Sequence, residues 1–117
     1  MRPVHDAENC SVAACAEIMS AKWTALVVHD LSEGARRFSE LERSCHGISP
    51  RTLSERLRAL EDDGIVVRRS YPESPPRVEY ELTEKGEALL PIIAEMRRFG
   101  REWLRRDAEA NAAGARG

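Results

Sequence analysis

A mainly helical domain carrying one small β-hairpin, an α+β arrangement, is the fold class that this sequence predicts. Three observations carry the expectation: apolar residues at helical spacing along most of the chain, a serine-proline helix start at Ser49-Pro50, and two short β-branched and aromatic runs around a proline-rich turn. A chain of 117 residues suffices for one compact domain and is too short for two. Residues 1–110 are expected to form that domain, with 111–117, small and polar, as a disordered tail.

The first two helices are expected from Ser11 to about Met19 and from Lys22 to Leu31, where good helix formers and the apolar run Trp23-Thr24-Ala25-Leu26-Val27-Val28 end at Gly34. Phe38 to Ser44 reads as a third, with Phe38 and Leu41 placed for burial, and His46-Gly47-Ile48 supplies a tight turn. Ser49 then caps exposed backbone N–H groups, Pro50 has its dihedral preset for the first helical position, and a charged helix runs to Asp63 before Gly64 ends it. Ile65 to Tyr71 and Arg77 to Leu82 follow as a two-stranded hairpin around Pro72 to Pro76. In its second strand Val78, Tyr80 and Leu82 alternate with Glu79 and Glu81, so one face lies on the helices. Thr83 caps a final long helix, which Pro91 should kink. In that helix Leu89, Ile92, Met96, Phe99 and Trp103 recur at spacings of three and four, the pattern of a helix-pairing seam between two copies of the chain. No internal repeat is visible.

Composition narrows the function classes. Hydrophobic residues make up 42% and charged residues 32%, as in a soluble globular protein, which disfavours disordered and membrane classes. No stretch approaches the roughly 18 apolar residues of a spanning helix, and Met1 to Asp6 lacks the apolar core of a secretion signal, so a cytoplasmic location is expected. Cys10, Cys15 and Cys45 form neither a CxxC pair nor a zinc-finger spacing with histidine, which argues against a disulfide scaffold or structural zinc. His5, His29 and His46 have no metal-ligand spacing and no evident catalytic neighbour, so no enzyme, metal or cofactor is expected.

The net charge of -2 conceals an uneven distribution. Residues 1–33 carry Arg2 and Lys22 against five acids, whereas 34–60 carry six arginines against Glu40, Glu42 and Glu55. On the helix from Pro50, Leu53, Leu57 and Leu60 fall in one stripe, with Arg51, Ser54, Glu55 and Arg58 on the other side. The DNA major groove admits an α-helix, and arginine donates two parallel hydrogen bonds to guanine O6 and N7. Arg51 and Arg58 are therefore the expected base readers; Ser54 can donate or accept, and Glu55 either accepts from cytosine or holds a neighbouring arginine. On the hairpin, Arg77 at the tip is the first choice for a phosphate or minor-groove contact. Arg68 and Arg69 on the stem either share that role or pair across the strands with Glu79 or Glu81. Arg36 and Arg37, ahead of Phe38, are candidates for one phosphate together with the free N–H groups of that helix, or else belong to a solvated loop. Ser49 and Thr52, at the helix start, complete the DNA-binding set. The layout is a winged helix-turn-helix with a helix-pairing seam on the last helix.

These residues resemble the HxlR-type regulators, a winged-helix group related to the multiple-antibiotic-resistance type. The pattern is Cys10; Lys22-Trp23; Arg37-Phe38-Ser39-Glu40-Leu41; Gly47-Ile48-Ser49-Pro50-Arg51-Thr52-Leu53-Ser54-Glu55-Arg56-Leu57; Leu60-Glu61-Asp62-Asp63-Gly64; and Pro76-Arg77-Val78-Glu79-Tyr80-Glu81-Leu82-Thr83-Glu84-Lys85-Gly86. The resemblance covers most of the chain. It implies a homodimer built from N- and C-terminal dimerisation helices, two recognition helices in successive major grooves of a pseudo-palindromic double-stranded operator, and a flanking wing on each side. It also implies that Cys10 is a candidate sensor of a small electrophile or oxidant. The chain departs from the family pattern at Ser11, where proline is common, and at Ser20-Ala21, where glycines are common. Cys15 and Cys45 read as small buried hydrophobes, and Trp23, Phe99 and Trp103 as core and dimer anchors. The alternative from another class is a winged-helix protein-protein interaction module that binds no DNA, favoured by the acidic overall balance.

Overall fold

The computed structural model describes residues 6–104, so the expected tail at 111–117 lies outside the described residues. Among the described residues α-helices and β-strands follow one another in the order α1 (Ser11–Ile18), α2 (Lys22–Asp30), β1 (Arg36–Arg37), α3 (Phe38–Ser44), α4 (Pro50–Asp62), β2 (Val66–Tyr71), β3 (Arg77–Leu82), α5 (Glu84–Glu87) and α6 (Leu90–Phe99). A 3-10 turn, Leu31–Glu33, extends α2, and a π turn, Gly100–Leu104, extends α6. No single helix among the described residues is long and apolar enough to cross a membrane.

The start of α4 is as its sequence requires. Ser49 adopts an extended conformation and its hydroxyl accepts the Thr52 N–H at 3.1 Å, while Pro50 occupies a position where no amide donor is needed. Gly64, at φ +74, takes the left-handed conformation that turns the chain out of α4. Leu53, Leu57 and Leu60 point inward and meet Val27, Val28, Leu31, Leu41, Ile65, Val66 and Ile93 in one core. This apolar contact, worth about 1.5–3 kcal/mol for each fully buried side chain, fixes which face of α4 is left outside.

The hairpin forms with Arg68 opposite Tyr80 and Val66 opposite Leu82, but it is not two-stranded. Arg36 and Arg37 pair with Tyr80 and Glu79, giving a three-stranded antiparallel sheet in the order β1-β3-β2. The added strand places β3 centrally and ties the wing to the start of α3. The inward alternation of β3 holds most strongly at Tyr80, which is buried.

The last helix also departs from expectation. Thr83 accepts the Gly86 N–H at 3.0 Å and so caps α5, which ends after one turn, and a new helix starts at Leu90. Pro91 lies near the start of α6 instead of kinking one long helix. It has no N–H to donate to Glu87, the acceptor an unbroken helix would use, and near a helix start that donor is not missed.

Candidate nucleic-acid interface

The outer face of α4 gathers Arg51, Ser54, Glu55 and Arg58 around a shallow concavity that also includes Ala59 and Asp62. On the opposite face Leu53, Leu57 and Leu60 are at most 1% exposed, whereas the Arg51 side chain is 89% exposed. Arg51 donates its Nε–H to Glu55 Oε1 at 3.0 Å, one helical turn away. Arg58 has no side-chain hydrogen bond or ion pair among the described residues. Ser49 and Thr52 are engaged with one another: besides accepting the Thr52 amide, Ser49 donates to Thr52 Oγ1 at 2.9 Å. Their first role is to start the helix.

The arginines outside α4 divide differently from expectation. Arg77, the first choice at the wing tip, folds back onto the Tyr71 ring, 4.3 Å from its centroid, and meets Glu73 at 2.9 Å and Glu79 at 3.3 Å. Its charge is thus compensated twice within the wing, and its Nε is buried without a hydrogen-bond partner. Arg69 pairs across the strands with Glu81, which holds its guanidinium above the usual range by hydrogen bonding and charge. Both stem arginines are exposed, but Arg68 has no acidic partner among the described residues and only a 3.5 Å contact to Ser70 Oγ. Arg36 turns into its own loop, with Glu33 at 3.6 Å and the Ala35 carbonyl at 3.0 Å. The Arg37 N–H donates to Glu40 Oε1 at 2.8 Å, so a carboxylate already occupies the start of α3 where an anion was expected. The Arg37 side chain itself is exposed.

Away from α4, Ile92, Met96, Phe99 and Trp103 are all more than 40% exposed, whereas Leu89, expected on the same seam, is 8% exposed and lies in the protomer's own core beside Ile93. Leu89, the residue just before α6, and Ile93 within it belong to the core, whereas the other four lie on the exposed side. Ile92 and Met96 border an apolar groove completed by Val12, Cys15 and Ala16 of α1 and by Met19, which follows it. Sequence reading named no α1 residue here, although Val12, Cys15 and Met19 follow the same three-and-four spacing that marked α6. Cys10 is the N-cap of α1 and half-buried. Cys45 is buried and donates its S–H to Asp30 Oδ2 at 3.5 Å; burial, with the Asp30 carboxylate second, pushes this thiol up to about 11. Among the described residues no group of three or more His, Cys, Asp or Glu is placed to hold a metal ion.

A family model for HxlR-like helix-turn-helix proteins matches residues 18–108. The chain belongs to this family. It is 48% identical over 88 residues to YvaP of Bacillus subtilis, an HTH-type transcriptional regulator, covering 75% of this chain and 82% of that protein. Among solved structures, a protein from Porphyromonas gingivalis assigned to the MarR family of transcriptional regulators superposes with a TM-score of 0.82 at 42% identity, covering 88% of this chain and all of that one. The redox regulator HypR in its oxidized form gives 0.75 at 41% identity, covering 78% of this chain and 94% of its own. Family and winged-helix fold are those expected from the residues.

Proposed function

We propose that this chain is a sequence-specific, homodimeric DNA-binding transcription regulator, with α4 in the major groove and the wing on the flanking backbone or minor groove. One observation carries the reading: α4 buries its three leucines completely and leaves Arg51, Ser54, Glu55 and Arg58 facing outward. Those side chains offer the donor and acceptor types that base edges require. The regulator relatives support it, as does the exposed apolar seam of Ile92, Met96, Phe99 and Trp103, which suits a second copy. Arg36, Arg37, Arg68 and Arg77 supply phosphate contacts in this reading. Arg37 and Arg68 contribute most, because the charges of Arg36 and Arg77 are already engaged.

Fluorescence anisotropy with a labelled duplex from the adjacent intergenic region tests this. With about six phosphates neutralised, log affinity falls against log salt with a slope near -5, since each contributes about 0.9. Absence of binding at low salt, with binding instead to a protein partner, would favour the interaction-module alternative. Regulation in this reading runs through Cys10. Its modification by a small electrophile or oxidant alters α1, hence the dimer and the separation of the two reading helices. Electrophile-dependent release from DNA that persists in Cys10→Ser would remove that part.

A further inference from the structure

We infer that Glu55 is a positioning residue for base reading, holding Arg51 ready to receive a guanine. This rests on the DNA-binding reading above and adds a division of labour within α4. Arginine carries five N–H donors, one on Nε and four on the two terminal nitrogens. Glu55 takes only the Nε–H, at 3.0 Å, and neither terminal nitrogen has a partner among the described residues. The part of the guanidinium left over is the end-on fork that matches guanine O6 and N7. The bond also restrains a long side chain that is 89% exposed and would otherwise sample many rotamers, so less freedom is lost when DNA arrives.

Position along the helix agrees. Arg51 is the second residue of α4, and recognition helices present their first residues to base edges. Arg58 stands about two turns further on with no partner among the described residues, so no carboxylate restrains it as Glu55 restrains Arg51. Glu55 itself is 60% exposed and faces the same side, so its negative charge opposes the approach of any duplex. A residue that weakens binding to all DNA while sharpening one contact has a signature that a purely structural residue lacks: its removal raises non-specific affinity and lowers discrimination.

The experiment is selection of duplexes from a randomised library by the full-length protein and by Arg51→Ala, Glu55→Ala and Glu55→Gln, followed by anisotropy on the selected duplex, its single-base variants and a random duplex. Circular dichroism verifies that each variant is folded; all three replacements are exposed and helix-compatible. Arg51→Ala is expected to lose preference for one guanine in each half-site by about 5- to 100-fold, the range of a bidentate contact. Glu55→Ala should weaken preference at that same guanine by about 2- to 10-fold, the range for immobilising one long side chain, and bind the random duplex more tightly. Glu55→Gln, whose amide oxygen still accepts the Nε–H, should retain most of the preference. The proposal is overturned if Glu55→Ala leaves that guanine preference intact, or if it alters a different position as a direct reader of cytosine would. If the unmodified protein enriches no sequence, the DNA-binding reading itself fails, an outcome distinct from a failure confined to Glu55.

Discussion

Gly86→Ala tests how the wing is fastened to the helices. A Cβ at this position would lie 2.2 Å from the Ile65 carbonyl oxygen and 3.1 Å from Leu82 Cδ2. The first distance is about 1 Å too short for non-bonded carbon and oxygen. Ile65 cannot swing away freely, because the same oxygen accepts the Thr83 N–H at 3.0 Å. Backbone must therefore move between α5 and the strand entrance, and overpacking of this kind costs about 1–3 kcal/mol. Alanine regains up to about 1 kcal/mol of helix propensity, but α5 has only four residues over which to express it. With a melting shift of about 4–8 °C per kcal/mol for a domain of this size, Gly86→Ala should melt roughly 5–15 °C below the parent. Gly100 is the control: it has helical dihedrals and nothing within 4 Å of its would-be Cβ, so Gly100→Ala should stabilise by about 0.4–1 kcal/mol. Melting curves by circular dichroism, all at one protein concentration, decide the matter. A Gly86→Ala protein melting within about 2 °C of the parent, or both substitutions shifting in the same direction, would refute the reasoning.

Cys45 should make stability fall at high pH. Its thiol stays protonated up to about 11 in the folded protein but ionises near 9.0 when unfolded, so its contribution is intact below pH 9 and lost as pH rises to 11. Urea unfolding across that window should reveal a loss of roughly 2 kcal/mol that Cys45→Ala lacks; an identical profile in the variant counts against the assignment. If the protein binds as a dimer, Arg68→Ala should reduce the salt slope of DNA binding by about 1.8, the value of one phosphate on each of the two copies, whereas Arg69→Ala, whose partner is Glu81, should reduce it less. Equal reductions would mean that the Glu81 pair opens on DNA.

Elements governed by neighbouring residues were legible in the sequence. The Ser49 cap, Pro50 and Gly64 delimit α4 through local backbone chemistry, and the leucine spacing sets its buried face without reference to the rest of the chain. The two-residue strand β1 was not legible, because Arg36 and Arg37 become a strand only by meeting Tyr80 and Glu79, more than 40 residues later. The surroundings of the wing arginines were not legible for the same reason. Nothing in the order Arg68, Arg69, Arg77 reveals that Tyr71, Glu73 and Glu79 close around the last of them and leave the first exposed.

By itself, then, the sequence determined the family, the order of the helices, the hairpin and the two faces of α4, since each follows from periodicity, caps and turn residues acting over a few positions. Tertiary structure alone decided which charges remain available to a ligand, and that Leu89 serves the protomer's own core while Ile92, Met96, Phe99 and Trp103 stay open. Availability depends on what distant segments bring within a few ångströms, and burial on which helix lies alongside; neither distance is written in residue spacing.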